Sequence, residues 1–373
     1  MRTKSLSTLL IVILVALVAA CAPAAAPAPT SAPAKPATEA TKAPAAPAAA
    51  TQAPAAAAAP TQAPAAKTAK VVYIPKNTGN PYFDSIIKGF QKAAGELKFE
   101  FTTTAPATAE ATSQLPFIKE QIQRGVNVLA ISPNSPDALN QVFDEARSKG
   151  VTVLVVNSDV PGNESHRDTA VLPMDFSITG GSQVELMGSL IEYKGKIAIL
   201  SATTDAPDQN FWIQGMKEAL KDPKYKDMQL VDVVYGNDDP QKSLAEAEGL
   251  LTKYPDLRGI ISPTTVGVAA TAQAVESAKR APGVQVTGLG TPNQMRRFIK
   301  NGTVKAFALW SPFNEGYLSG YLGVGLANKE IKPATGVKFT VPGLGEREFR
   351  ANNVIITGPP TVFTKDNIDD FDF

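Results

Sequence analysis

From Lys70 onward the chain alternates between short runs of β-branched and apolar residues and longer stretches with helical periodicity. The runs VVYI (71–74), FEFTTT (99–104), VNVLAI (126–131), VTVLVV (151–156) and TAVLP (169–173) predict strands, and the amphipathic stretches 83–97, 112–124 and 135–149 predict the helices between them. A second set follows: KIAILS (196–201), MQLVDVVY (228–235), RGIISP (258–263), VQVTGLG (284–290) and VKAFALW (304–310), with helices near 208–222, 241–254, 265–280 and 292–300. Apolar strands separated by helices of this length specify parallel sheets covered on both faces. Right-handed crossovers make such sheets doubly wound. With about five strands in each set, the pattern predicts an α/β protein of two doubly wound lobes joined by a hinge, with a helix over 178–193 carrying the chain from one lobe to the other. The expected division is residues 70–174 plus about 311–337 for the first lobe and 175–310 plus about 338–373 for the second.

The region before Lys70 has a different texture. Arg2 and Lys4 precede an apolar run over 9–18 that ends in Ala19, Ala20 and Cys21. This is the layout of a secretory signal, residues 1–20, and the run is too short for a span of about 20 apolar residues. VAAC fits a lipobox, as in bacterial lipoproteins, and that resemblance implies that Cys21 is diacylated and becomes the mature N-terminus. Two acyl chains anchor stably where one does not. Residues 21–69 then hold the lipidated cysteine and a linker rich in alanine and proline. Proline every few residues blocks helical hydrogen bonding, so the linker is expected to be extended and solvated. Its reach is on the order of 150 Å at full polyproline extension and roughly 40 Å as a coil. The expected location is extracytoplasmic, on the cell membrane.

Composition narrows the function classes. With 36 basic against 35 acidic residues, the chain lacks the clustered charge of a nucleic-acid binder. A single cysteine and a single histidine exclude disulfide frameworks, iron–sulfur clusters and His- or Cys-rich metal sites, and no cofactor is expected. His166 has no Gly-x-Ser-x-Gly elbow to serve, and neither a P-loop nor a complete G-x-G-x-x-G occurs. A glycosidase resting on two carboxylates stays open as an alternative.

In open α/β sheets ligands sit beyond the carboxyl ends of the strands. The loops there carry KNTGNPYF (76–83), NSD (157–159), TTDAPDQNFW (203–212), SPTTVG (262–267) and WSPFN (310–314). Planar polar side chains suit the hydroxyl rim of a sugar and aromatic rings suit its C–H faces. The candidate ligand residues are therefore Lys76, Asn77, Asn80, Tyr82, Phe83, Asn157, Asp159, Asp208, Gln209, Asn210, Trp212, Pro263, Thr265 and Trp310. Phe83 and Trp212 serve equally as core anchors, and Asn80 serves equally as a helix N-cap. Lys76, directly after a buried strand, has no evident structural partner.

The lipobox, the Ala/Pro linker and the two βα lobes resemble a sugar-binding lipoprotein of the type I periplasmic-binding-protein family, the receptor component of ABC importers. Within it, IPKNTGNPYF, DQNFW, ISPTTVGVAA, LGTPNQMRRFIKNGTVKAFALW and KDNIDDFDF are most similar to rhamnose-binding proteins and autoinducer-2 receptors. The resemblance implies a monomer that binds a small sugar between its lobes and delivers it to a membrane permease, without catalysis. A sensor that does not transport is the neighbouring alternative. It also implies ligand roles for Lys76, Asp208, Gln209 and Pro263, which match the autoinducer-2 pattern. Asn157 and Thr265 depart from it, standing where those receptors have aspartate and alanine, and the PTTVG turn is closer to the rhamnose-binding branch.

Overall fold

The computed structural model describes residues 68–373. Cys21, the signal segment and the Ala/Pro linker up to residue 67 lie outside the described residues. The chain first lays down β1 (Lys70–Ile74), α1 (Pro81–Leu97), β2 (Glu100–Thr103), α2 (Leu115–Gln123), β3 (Val128–Ile131), α3 (Asn140–Ser148), β4 (Thr152–Val156) and β5 (Thr169–Leu172). It continues with α4 (Phe176–Ile191), β6 (Lys194–Ser201), α5 (Pro207–Ala219), β7 (Asp227–Tyr235), α6 (Pro240–Lys253), β8 (Leu257–Ser262), α7 (Thr265–Ser277), β9 (Gln285–Gly288), α8 (Pro292–Lys300) and β10 (Phe307–Leu309). The last elements are α9 (Pro312–Ala327), β11 (Lys338–Val341), β12 (Gly345–Glu348), β13 (Val354–Ile356) and β14 (Thr361–Phe363).

The first lobe is built on a six-stranded parallel sheet in the order β13-β5-β4-β3-β1-β2. Its strands β1, β3, β4 and β5 are apolar on both faces, as a sheet covered on both sides requires. Val72, Ile74, Leu129 and Ile131 pack with Ile118 and Phe143 of α2 and α3, while Val71, Tyr73, Val128 and Ala130 pack with Ile86 and Phe90 of α1 and with α9. The α1–α9 contact is unusually close. A Cβ at Gly89 would lie 2.1 Å from the Phe313 carbonyl oxygen, and one at Gly316 would lie 1.9 Å from that of Ile86. Only glycine lets the two backbones meet.

The second lobe holds the parallel sheet β7-β6-β8-β9, with α4 and α5 packed against each other on it. The doubly wound two-lobe architecture matches the sequence reading, with two differences. The fifth strand of the second set shrinks to β10, which pairs antiparallel with β14 and joins the main sheet only through a bridge between Leu289 and Ala308. The assignment of 338–373 to the second lobe is corrected: β13 pairs parallel with β5, and the β11–β12 hairpin precedes it on the same side, its turn at Pro342–Leu344 beside Tyr317 of α9. A three-residue apolar strand carries no mark of which sheet it will extend, so the return to the second lobe comes only after residue 356. The chain thus crosses between lobes three times, near 173–175, at 310–311 and near 357–360.

Candidate functional site

Between the carboxyl edges of the two sheets lies a narrow cleft. From the first lobe, the turn after β1 delivers Lys76, Asn80, Tyr82 and Phe83, and the turn after β4 delivers Asn157. From the second, the start of α5 delivers Asp208, Gln209 and Trp212, the turn after β8 delivers Pro263, Thr264 and Thr265, and the turn after β7 delivers Asp238. Leu289, Leu309 and Trp310 close the hinge side.

The central contact joins the lobes. Lys76 Nζ lies 2.6 Å from Asp208 Oδ1, with the two side chains only 4% and 2% exposed. The first turn of α5 is a favourable place for the carboxylate, because the helix N-terminus carries partial positive charge. The turn carrying Lys76 is fixed from below: Asn134 Nδ2 donates to the Lys76 carbonyl at 2.9 Å, and Gln114 Nε2 donates to the carbonyls of Pro75 and Ser132. A buried ion pair contributes little net stability, since desolvation offsets the attraction. Its worth here is positional: it holds a cation and an anion ready inside the cleft.

Asn157 sits beside that pair. Its backbone is left-handed, with φ at 67°, a conformation asparagine tolerates better than most residues. Its Nδ2 donates to Asp208 Oδ2 at 3.4 Å, and its Oδ1 lies 2.6 Å from the Tyr82 hydroxyl. That hydroxyl also accepts from Trp310 Nε1 at 2.6 Å and lies 2.5 Å from Glu315 Oε1. Trp310 and Trp212 meet edge to face at 5.7 Å, and Phe176 stacks edge-on against Trp212 at 5.2 Å. A second bridge between the lobes runs from Thr265 Oγ1 to Asn80 Oδ1 at 3.0 Å, while the same Asn80 oxygen caps α1 through the amide of Tyr82. Thr264 Oγ1 donates to Asp238. Burial pushes the Asp238 carboxyl above its usual range. Two polar atoms lining the cleft, Gln209 Oε1 and Trp212 Nε1, are buried with no hydrogen-bond partner among the described residues.

Three expected ligand residues are placed elsewhere. Asp159 forms a bidentate pair with the guanidinium of Arg167, at 2.5 and 2.7 Å, and does not line the cleft. Asp159→Ala is therefore expected to destabilise the first lobe by about 3 kcal/mol, the cost of orphaning a buried partner, read as a lower chemical-denaturation midpoint. Asn210 turns back to donate to the Thr204 carbonyl at 2.7 Å. Asn77 is buried in an adjoining chamber with Thr78 and Asn237. Phe211, a ring suited to a sugar face, is 46% exposed and packs beside Phe176. His166 bonds Asp144 at 2.9 Å, away from the residues of the cleft. The sequence reading missed Asp238 and Thr264 in the wall and Glu315 behind it.

The decisive comparison is with protein families: residues 71–331 match the periplasmic binding protein domain. The chain belongs to the periplasmic binding protein family. Its two parallel sheets flanked by helices are those of the type I members. Among solved structures, this periplasmic binding protein is similar to a sugar ABC transporter protein from Actinomyces odontolyticus, with 41% identity, 82% of this chain and 98% of that one covered, and a TM-score of 0.66. An ABC transporter solute binding protein from Clostridium phytofermentas with bound L-rhamnose is 31% identical over 82% and 98% of the two chains, with a TM-score of 0.78. LsrB from Clostridium saccharobutylicum in complex with AI-2 is 26% identical over 82% and 100%, with a TM-score of 0.77.

Proposed function

We propose that this periplasmic binding protein is the substrate-binding lipoprotein of an ABC sugar importer. It takes a small neutral sugar, L-rhamnose or a related 6-deoxyhexose, between its lobes and delivers it to permease subunits in the membrane, anchored there through Cys21. The observation that carries this reading is the unfinished hydrogen bonding of the cleft. Buried polar atoms are almost always paired, yet Gln209 Oε1 and Trp212 Nε1 have no partner among the described residues. They sit beside a ready cation and anion and next to aromatic rings, which is the chemistry a polyol with one apolar edge satisfies. The rhamnose-bound relative supports the same class.

The mechanism follows from the three crossings. Parting of the lobes exposes Lys76 and Asp208 to water, sugar hydroxyls enter between them, and reclosure forms the surface that a permease reads. No bond of the ligand is broken. Asp208 is held by Lys76 and Asp238 by Thr264, so each of these two cleft carboxylates is engaged by a neighbouring side chain of the protein.

A second reading, an autoinducer-2 receptor, is favoured by the presence of Lys76, Asp208, Gln209 and Pro263 together in the cleft. Titration calorimetry of the purified chain against L-rhamnose, other 6-deoxyhexoses, ribose and autoinducer-2 separates the two. The expected result is micromolar or tighter binding of L-rhamnose, about −8 kcal/mol, with ribose and autoinducer-2 weaker. A tighter autoinducer-2 complex transfers the assignment to the second reading. Absence of binding to any of them removes the sugar-receptor assignment, and turnover of an aryl glycoside would make the protein an enzyme.

A further inference from the structure

Glu315 is fully buried in the first turn of α9, behind the cleft wall and five residues past the second crossing. Among the described residues, no lysine or arginine pairs with it. Its surroundings are the Tyr82 hydroxyl from α1, the Trp310 indole, the Tyr73 hydroxyl from β1 and, across the cleft wall, the Asp208 carboxylate.

A count of protons around Tyr82 determines its state. Asp208 is an acceptor, so the Asn157 amide turns its NH2 toward Asp208 Oδ2 and its oxygen toward Tyr82. The opposite orientation would set the amide oxygen against a carboxylate. At 2.6 Å the Tyr82 hydroxyl gives its one proton to that amide oxygen, and it receives one from Trp310 Nε1 at 2.6 Å. No proton of Tyr82 or Trp310 is left for the 2.5 Å contact with Glu315 Oε1. Two oxygens at that separation without a proton between them would repel, so the proton must come from the glutamate.

We infer that Glu315 is a neutral carboxylic acid that donates to the Tyr82 hydroxyl and thereby holds the Asn157 amide with its NH2 toward the cleft. It is a positioning residue for the ligand site. Burial, the largest influence, raises its affinity for the proton well above the ordinary carboxylate range, and the nearby Asp208 charge adds to the rise, against the opposing influence of the neighbouring Tyr82 hydroxyl and Trp310 indole. The consequence for recognition is specific. Position 157 presents a donor beside the acceptor Asp208, so the group that fits between them both accepts and donates, as a hydroxyl does. An ionised Glu315 would instead take the Tyr82 proton and favour the flipped amide, leaving two acceptors side by side.

This inference rests on reading the cleft as the ligand site, and its test has an arm that does not. Infrared difference spectroscopy of the ligand-free full chain, wild type against Glu315→Gln, is expected to show the carbonyl stretch of a protonated carboxylic acid that the variant lacks. A difference confined to carboxylate bands overturns the inference. In calorimetry with L-rhamnose, Glu315→Gln, which keeps a neutral donor, is expected to bind within about threefold of wild type, and Glu315→Ala at least about tenfold more weakly. Equal losses in the two variants overturn it as well. If wild type binds no sugar, the receptor reading fails and the infrared comparison alone decides the state of Glu315.

Discussion

Replacing Asp208 by alanine is expected to weaken L-rhamnose binding about 100-fold, the sum of a lost charge-assisted hydrogen bond and a cation left unpaired in the closed cleft. The second contribution is the informative one. Lys76 is 3% exposed, and its one ion-pair partner among the described residues is Asp208. In a rigid core, orphaning such a lysine would unfold the protein. Here the lysine regains water as soon as the lobes part, so the penalty falls on the closed, sugar-bound state and leaves the thermal midpoint of the free protein within a few degrees of wild type. Calorimetry gives the affinity, and small-angle scattering should show the free variant more open than wild type. Unchanged affinity would take Asp208 out of the binding site. A collapse of the thermal midpoint would make the pair a structural element rather than a ligand clamp.

The second large effect lies in the first lobe, where α1 meets α9. Gly316→Ala is expected to destabilise the protein by about 3 kcal/mol, because the new methyl meets the Ile86 backbone and neither helix can yield without leaving the sheet. Alanine's better helix propensity, about 1 kcal/mol, offsets only part of the cost. The thermal midpoint should fall by roughly 5–10 °C. Affinity should fall with it, since separating α1 from α9 draws Tyr82 away from Glu315. Gly249→Ala on α6 is the control: a Cβ there meets nothing within 4 Å, so stability should stay level or rise by up to about 1 kcal/mol. Equal urea midpoints for the two variants would show that the glycine contact is not what sets the α1–α9 distance.

The sheets were legible because their strands are nearly unbroken apolar runs. VTVLVV leaves no polar face for any alternative, and the loops that follow such strands are where a cleft must lie. Lys76, Asp208 and Asn157 could be singled out for that reason alone. Asp238 obeys the same rule, in the turn after β7, and was overlooked because GNDD reads as an ordinary polar turn. Asp159 could not be sorted from its neighbour Asn157 without knowing that Arg167, eight residues on, folds back to claim it. Glu315 was silent for a physical reason: an acid in the first turn of a helix is the expected complement to the helix dipole, and its burial depends on Tyr82, 233 positions earlier. β13 was misplaced on similar grounds, since three apolar residues fit the edge of either sheet.

The late return of the chain to the first lobe has a kinetic side. Thr357 closes onto the Leu172 carbonyl from 185 residues away, and α9 reaches back across the whole second lobe to cover β3 and β4. The second lobe's four-stranded sheet forms from one nearly continuous stretch and awaits only β14 and the tail that packs on α8, while the first must wait with one helix missing and the edge of β5 unpaired. Closing so long a loop costs little more than closing a short one, but contacts of such sequence separation form slowly. During that interval the bare β5 edge is a template for pairing with other chains. The fold's most vulnerable moment therefore belongs to the lobe whose strands the sequence announces most clearly.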